Sequence, residues 1–282
     1  MKKDEAVFNF RRKAAAAFLP PLSISDNKAR RGRSLLLAGS ARYPGAGVLA
    51  ARAALRMGSG YVTLAQPDIA ISSLENPDFL LCDLNEKNWE TLQFDAILVG
   101  PGFGVNKFTA SVIEKLKERK TERVILDADA LTVCAEEKLF PLLPTWIVTP
   151  HSGELARCLG TTSEQVQEQR LKSIMQAQEL MNCIVLLKGH HSLVQGKGRT
   201  YRIMSGNSGL AKAGTGDVLA GMITALRARD LSPATSACLG AYLHGACADY
   251  WRALHRDPLS LMASDVIELL PSIIYQIRSS TQ

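Results

Sequence analysis

Residues 205–229 read SGNSGLAKAGTGDVLAGMITALRAR, a glycine-rich loop that continues into a segment with the apolar spacing of one helical face. The positions that carry this spacing are Val218, Leu219, Met222, Ile223 and Leu226. Gly214, Thr215 and Gly216 precede them, so their backbone N–H groups are predicted to lie at a helix N-terminus, where they favour a phosphate or the charge that develops during phosphoryl transfer. The loop lacks the Lys-Ser/Thr ending of a Walker A sequence, and it is therefore a different kind of phosphate site.

Asp217 opens the predicted helix beside this anion site. A carboxylate in the first helical turn stabilises the helix as a cap, and a carboxylate next to a bound phosphate is also well placed to accept a proton. The residues of the loop alone leave both roles open for Asp217.

Upstream of the loop, short apolar runs of strand length alternate with longer segments of helical period. The runs are SLLLAG (34–39), YVTLA (61–65), AILVG (96–100), VILDA (124–128), WIVTP (146–150) and CIVLLKG (183–189). This alternation predicts an α/β fold with a mainly parallel central sheet between two layers of helices. In such sheets ligands bind beyond the carboxyl ends of the strands, so chemistry is expected in the loops that follow the strands.

The N-terminal segment and the part of the chain after Lys188 follow other patterns. The segment 196–198, Gly-Lys-Gly, separates the strand-like runs SLVQ and TYRIMS, which predicts a hairpin at the sheet edge. The last third of the chain is predicted to be helical, and residues 1–33 are predicted to form an N-terminal helix and a lead-in. No repeat or long linker divides residues 34–282, which are therefore predicted to form a single domain.

The composition of the 282 residues, 46% hydrophobic and 21% charged, is close to that of an average soluble globular protein. The net charge of +6 is spread along the chain, which favours a small polyanion such as a nucleotide over nucleic acid as the partner. The six cysteines form no C-x-x-C pair and lie mostly in apolar stretches, as reduced, buried thiols do. No run suits a membrane span and the N-terminus is unlike a signal peptide, so a cytoplasmic location without a membrane partner is expected.

Six ordered motifs carry a resemblance to known proteins. The string AGTGDVLAG (213–221) resembles the anion-hole motif of the ribokinase-like superfamily, in which the aspartate removes the proton from the hydroxyl that receives phosphate. The segments from AGSARYPGAGVLAARAALRMGSGYVTLA (38–65) through VGPGFG, ILDADAL, VTPHSGE and LLKGHHS to GNSGLAKAGTGD (206–217) resemble, in the same order, those of the ADP-dependent NAD(P)H-hydrate dehydratases. This resemblance covers residues from about Ser34 to Gly245.

The resemblance implies a ribokinase-like catalytic domain over residues 34–282 and a reaction that repairs a damaged cofactor. The substrate would be the S form of hydrated NADH or NADPH, and ADP, bound with Mg²⁺, would be the phosphoryl donor. The products would be NAD(P)H, AMP and phosphate. Asp217 would be the catalytic base and would contact substrate, with Gly214, Thr215 and Gly216 as the anion hole. The resemblance also implies a homo-oligomer, which is a homotetramer in many family members.

Three further residues are implied to contact the substrate. Ala46 lies in PGAGVLAARAAL, where small residues by themselves indicate only close packing of a helix on a sheet. Gly104 lies in VGPGFG, with Gly102 as the alternative contact; Pro101 interrupts the segment and argues against a dinucleotide fingerprint. His151 follows a strand and precedes the helix SGELARCL, and taken alone it would be a helix-entry residue.

The nucleotide contacts implied by the resemblance are Lys188, Gly189, His190, His191, Ser192 and Gly216. Taken alone, the first five form an ordinary turn after a strand, with a lysine whose apolar stem is buried. His190 replaces the small residue that is usual in the family. No further ligand lies at metal-binding spacing from the two histidines, so a transition-metal site is not expected. Glu154 is the candidate carboxylate for an indirect, water-linked contact to Mg²⁺.

Two other functions compete with the dehydratase. A vitamin kinase for a thiazole or hydroxymethylpyrimidine alcohol would use the same anion loop and aspartate. In those kinases an asparagine follows the threonine-proline pair, whereas this chain has His151 there, and the PGAG segment also argues against them. A nucleotide-binding regulator without catalytic activity would keep the glycine loops but would not need an acid at Asp217.

Overall fold

Ten strands are present in the parts of the chain that the computed structural model describes, which are residues 6–21, 23–67, 78–85 and 88–279. They are β1 (Val7–Phe10), β2 (Arg33–Leu37), β3 (Tyr61–Gln66), β4 (Leu80–Asp83), β5 (Ala96–Val99), β6 (Val124–Leu126), β7 (Ile147–Val148), β8 (Ile184–Leu187), β9 (Leu193–Gly196) and β10 (Arg199–Ile203). The helices are α1 (Arg12–Phe18), α2 (Pro44–Arg56), α3 (Lys107–Glu118), α4 (Asp129–Glu136), α5 (Ser152–Leu159), α6 (Ser163–Glu168), α7 (Arg170–Met181), α8 (Thr215–Ala228), α9 (Pro233–Ala253) and α10 (Ala263–Ser279).

The strands form one sheet in the order β1-β10-β9-β8-β7-β6-β5-β2-β3-β4. Strands β2 to β8 pair in parallel, whereas β9 is antiparallel to both β8 and β10. The mainly parallel sheet and the hairpin β9–β10 are therefore confirmed. Within the described residues, no helix has both the length and the apolar character to cross a bilayer.

Side chains alternate between the two faces of the sheet and build a hydrophobic core on each. In β2, Leu36 belongs to the core formed with α2, α8, α9 and α10, whereas Leu35 and Leu37 belong to the core formed with α3 to α7. Strand β5 repeats this division, with Leu98 on the first face and Ile97 on the second. The predicted three-layer arrangement is thus confirmed.

Strand β1 was not predicted from the sequence. It pairs in parallel with β10 and lies outside the hairpin at that edge of the sheet. Phe10 is buried there, with its ring centroid 6.0 Å from that of Tyr242 in α9. The four residues VFNF are too few to show a reliable period. The strand is therefore recognised by its pairing with β10 and not by a local sequence pattern. The helix predicted within residues 1–33 is present as α1.

Helices α2 and α8 approach each other closely on the first face of the sheet. A Cβ atom added at Gly221 of α8 would overlap the backbone carbonyl of Ala50 in α2. On its other side α2 lies against the sheet, because a Cβ atom at Gly47 would come within 2.7 Å of the Ala38 carbonyl oxygen. The start of α8, which carries the glycine-rich loop, is therefore held in place by backbone-to-backbone packing.

Gly221→Ala is expected to destabilise the protein, although alanine is the better helix former by about 1 kcal/mol. The added methyl group would force α2 and α8 apart, and overpacking of this kind costs about 1–3 kcal/mol. Urea unfolding measures the loss. Gly45→Ala is the matched control, since nothing lies within 4 Å of a Cβ atom there. Equal stability of the two variants would show that the close approach is absent.

Candidate active site

A cavity of about 690 Å³ opens at the carboxyl ends of the central strands. Its walls come from the segments that follow β6, β7, β8 and β10 and from the first turn of α8. The predicted site residues that line it are His151, Glu154, Lys188, Gly189, His190, His191, Ser192, Gly214, Thr215, Gly216 and Asp217. The structure thus brings the predicted nucleotide segment, anion loop and base to one place.

The anion loop has a geometry that requires glycine at its turn. Gly214 is the N-cap of α8 with φ +87, and a Cβ atom there would come within 2.7 Å of a Leu49 methyl group. The Thr215 hydroxyl donates to the carbonyls of Leu210 and Lys212, at 2.8 Å each, and so ties the loop to the helix start. In the first turn of α8 the Thr215 N–H donates to the Lys212 carbonyl at 3.4 Å, whereas the N–H groups of Gly216 and Asp217 have no backbone acceptor among the described residues, as an anion site requires.

Asp217 lies in the first turn of α8. Burial, reinforced by the neighbouring Asp127 carboxylate, raises the pKa of Asp217 to about 7, although the Lys188 ammonium acts against this rise. Asp129 and Glu154 add further negative charge. A carboxylate with a pKa near neutrality is a suitable proton acceptor, which a simple helix cap does not need to be.

Lys188 places its ammonium among the carboxylates of the cavity. Its Nζ atom lies 2.8 Å from Asp127 Oδ1 and 3.7 Å from Glu154 Oε2. Burial opposes the charge on Lys188, but the Asp127 and Glu154 carboxylates outweigh burial and raise the pKa of Lys188. Nζ also lies 3.5 Å from where a Cβ atom of Gly216 would be. The ammonium is therefore next to the anion loop as well as to the carboxylates.

His151 and Glu154 form a capping box at the start of α5. His151 Nδ1 accepts from the N–H groups of Gly153 and Glu154, and Glu154 Oε2 accepts from the His151 N–H at 2.8 Å. Because Nδ1 is an acceptor, the neutral ring carries its proton on Nε2. The His151 side chain nevertheless remains 59% exposed at the cavity, although its Nε2 lies 3.5 Å from Glu154 Oε1.

The segment after β8 forms a tight turn at the cavity. Arg170 donates to the carbonyl oxygens of Leu187 and Lys188, and the Ser192 hydroxyl donates to that of Gly189 at 3.0 Å. The rings of His190 and His191 stack on each other with centroids 4.0 Å apart. Residues 188–192 of this turn all line the cavity.

Ala46 and Gly104 do not line this cavity. The Gly104 N–H donates to Asp129 Oδ2 at 2.8 Å, and Asp129 is one of the carboxylates whose charge acts on Asp217. A Cβ atom at Gly102 would come within 3.0 Å of Ala46 Cβ, so the two implied substrate segments are neighbours. The substrate contacts of Ala46 and Gly104 stay a prediction.

Several residues of the cavity were not singled out from the sequence. Asp127 is one, although it lies within the quoted ILDADAL segment. His244 of α9 is another: burial lowers its pKa to about 4, and its Nε2 has no partner among the described residues. Asp249 of α9, which does not itself line the cavity, holds the loop after β10 by accepting from the Gly206 N–H at 2.8 Å and from Asn207 Nδ2 at 3.1 Å. A histidine inside an otherwise apolar helix was the available signal for His244.

The acidic side chains do not form a metal cage by themselves. Across the ranges that the structure covers, no cluster of three or more His, Cys, Asp or Glu side chains is arranged to hold a metal ion. Asp127 is already paired with the Lys188 ammonium. Glu154 keeps a carboxylate at the cavity, which fits an ion that is carried by nucleotide phosphates and needs one protein carboxylate and water.

Two solved structures match almost the whole chain. A ribokinase-like superfamily protein from Enterococcus faecalis matches 96% of this chain and 96% of its own, with a TM-score of 0.85 at 23% identity, which shows the fold. An ADP/ATP-dependent NAD(P)H-hydrate dehydratase from Bacillus subtilis, co-crystallised with ATP and Mg²⁺, matches 96% of this chain and 99% of its own, with a TM-score of 0.84 at 26% identity. The predicted ribokinase-like fold is confirmed.

Curated relatives agree with these structures. An ADP-dependent (S)-NAD(P)H-hydrate dehydratase from Neisseria meningitidis serogroup B is 34% identical over 249 residues, which are 86% of this chain and 84% of that protein. The chain spans about half the length of the bifunctional NAD(P)H-hydrate repair enzymes that it also matches, with 51% to 53% of each covered. The model of one protein family, NAD(P)H-hydrate dehydratase, matches residues 34–272. Because that match includes most of the chain and every motif of the cavity, this protein belongs to the NAD(P)H-hydrate dehydratase family.

Proposed function

We propose that this protein dehydrates the S form of hydrated NADH or NADPH at the expense of ADP, and so returns a damaged cofactor to use. The observation that carries the proposal is the Asp217 carboxyl group, whose pKa is raised to about 7 beside an anion loop at a helix N-terminus. Family membership supplies the substrate class, since the relative from Neisseria meningitidis bears that activity in its name.

The first step is a phosphoryl transfer. Asp217 accepts the proton of the hydroxyl on the hydrated nicotinamide ring, and the hydroxyl oxygen bonds to the β-phosphorus of ADP. The bond between that phosphorus and the oxygen of AMP breaks, and AMP leaves. The N–H groups of the loop formed by Gly214, Thr215 and Gly216 stabilise the negative charge that develops on the transferring group.

The second step is an elimination. The lone pair of the ring nitrogen expels the phosphate as the C–O bond breaks, and the departing phosphate takes a proton from the adjacent ring carbon, which restores the double bond of NAD(P)H. The nitrogen lone pair supplies the driving force, so this step needs no further strong base. The protein contributes a cavity that holds the phosphorylated ring until phosphate leaves.

In this proposal the nucleotide and the substrate bind to different residues around Asp217. Lys188 and the turn formed by residues 189–192 bind ADP together with Gly216, and these residues line one cavity. His151, Ala46 and Gly104 contact the hydrated nicotinamide half. Mg²⁺ that arrives with ADP would be met by Glu154 through water, and it would neutralise part of the phosphate charge.

Purified protein supplied with hydrated NADH, ADP and Mg²⁺ is expected to restore the absorbance of NADH and to release AMP and phosphate in equal amounts. ATP at the same Mg²⁺ concentration is expected to give a slower initial rate, as the activity named for the relative from Neisseria meningitidis suggests. A thiazole or hydroxymethylpyrimidine alcohol replaces hydrated NADH as the control. Phosphorylation of the alcohol without repair of the hydrate would identify a vitamin kinase, and binding of ADP without any product would identify a regulator.

His151→Ala is expected to weaken binding of the hydrated cofactor more than binding of ADP, because the largely exposed His151 side chain lines the cavity and is assigned here to the substrate. Calorimetric titration with each ligand measures both affinities. His151→Asn is the matched control, since asparagine caps a helix well and keeps the start of α5 intact. If the alanine variant loses affinity for both ligands equally while the asparagine variant loses none, His151 acts only as a cap.

A further inference from the structure

The Lys188 ammonium has two carboxylate partners that hold it unequally. Asp127 Oδ1 is 2.8 Å from Nζ, a short charged hydrogen bond, whereas Glu154 Oε2 is 3.7 Å away. The same Glu154 oxygen already accepts from the His151 N–H. The contact with Glu154 is therefore the looser one, and Asp127 fixes the position of the ammonium.

Asp127 is itself fixed by the sheet. It follows β6 directly, it is 1% exposed, and its N–H donates to the Val99 carbonyl at 3.2 Å. Gly100 packs against its backbone so closely that a Cβ atom there would overlap the Asp127 carbonyl. A side chain that is held by a strand end positions its partner more accurately than one on a mobile loop.

From this geometry we infer that Asp127 is a positioning residue of the reaction. Its buried carboxylate holds the Lys188 ammonium against the anion loop, so that the ammonium contacts the phosphoryl group during its transfer. The inference rests on the proposed function. In the transfer step the hydroxyl oxygen bonds to the β-phosphorus of ADP, AMP leaves, and the hydroxyl proton goes to Asp217. Lys188 keeps all of its protons and supplies positive charge where negative charge develops.

The charges around Asp217 support this assignment. Asp127, Asp129 and Glu154 each disfavour ionisation of Asp217, and Lys188 is the cation that favours it. When a phosphoryl group arrives, the weaker contact with Glu154 can be exchanged for a phosphate oxygen while the bond to Asp127 stays. Asp127 therefore acts through Lys188 on the phosphoryl group, and through its own charge on Asp217.

The test uses the whole protein and a double-mutant cycle of Asp127→Asn, Lys188→Met and the combined variant. Asp127→Asn is expected to lower kcat by about 10- to 100-fold, as loss of a transition-state contact does. Lys188→Met is expected to lower kcat at least as far. The combined variant is expected to match Lys188→Met within about threefold, because Asp127 has no ammonium left to position. Thermal unfolding of each variant checks that the fold is kept.

Two readouts separate positioning from a purely structural role. The Asp127→Asn variant is expected to bind ADP as tightly as wild type or more tightly, since a negative charge near the phosphates is gone. The Lys188→Met variant is expected to bind ADP about tenfold more weakly. The rising limb of the kcat/KM profile with pH is expected to move to lower pH in Asp127→Asn, because a neighbouring negative charge that raises the pKa of Asp217 is lost.

Asp129→Asn is the matched comparison. It removes another carboxylate that acts on Asp217 but leaves the bond between Lys188 and Asp127 intact. Since Asp129 accepts from the Gly104 N–H, its loss is expected to appear mainly in KM for the hydrated cofactor, with a similar shift of the pH profile. Loss of kcat without loss of ADP affinity is the signature expected of Asp127→Asn.

Independent, multiplicative losses of kcat in the cycle would overturn the inference, and so would equal losses of kcat and ADP affinity in Asp127→Asn. If wild-type protein binds ADP but repairs no hydrated cofactor, the proposed function is wrong, and the inference that rests on it is overturned with it. Repair by the wild type together with independent losses in the cycle overturns the positioning role alone.

Discussion

Burial of a carboxyl group at the N-terminus of α8 is the constraint around which this site is arranged. A carboxylate is stabilised by the partial positive charge of a helix start, yet Asp217 is also surrounded by Asp127, Asp129 and Glu154, which disfavour its ionisation. Lys188 is the cation that offsets these charges. The outcome is a carboxyl group whose pKa lies near neutrality, and a group of this kind can take a proton from an alcohol and release it again.

Close packing of α8 against its neighbours, rather than the glycine-rich loop alone, holds this arrangement in place. Gly221 lets α8 lie directly on α2, and Gly214 turns the chain beneath Leu49 and Ala263. Both contacts fix the start of α8 relative to the sheet, which in turn carries Asp127 and Lys188 at the ends of β6 and β8. A small shift of α8 would separate Asp217 from the ammonium, so stability and chemistry depend on the same glycines.

Much of this site was predictable because its parts are local in sequence. The anion loop, the base and the turn after β8 each occupy a few consecutive residues, and their residue types report their backbone geometry. The pair formed by Asp127 and Lys188 joins residues 61 positions apart, and no local pattern reveals such a contact. Strand β1 was missed for the same reason, since its partner strand lies far along the chain. The sequence also left His151 between a cap and a binding residue. Its capping box shows the first role, and the second stays a prediction.

The rate of repair of hydrated NADH with ADP, followed from about pH 6 to 9 for wild type and for Asp217→Asn, bears most directly on the role of Asp217. Asparagine keeps the shape and the capping ability of aspartate, so the variant should fold and bind ADP normally. The wild-type value of kcat/KM is expected to rise with pH through about 7, as the carboxyl group loses its proton. The variant is expected to be slower by about 10² to 10⁴ and to lack this rise. A variant that repairs the cofactor within a few-fold of wild type would show that Asp217 is only a helix cap and that the proposed mechanism is wrong.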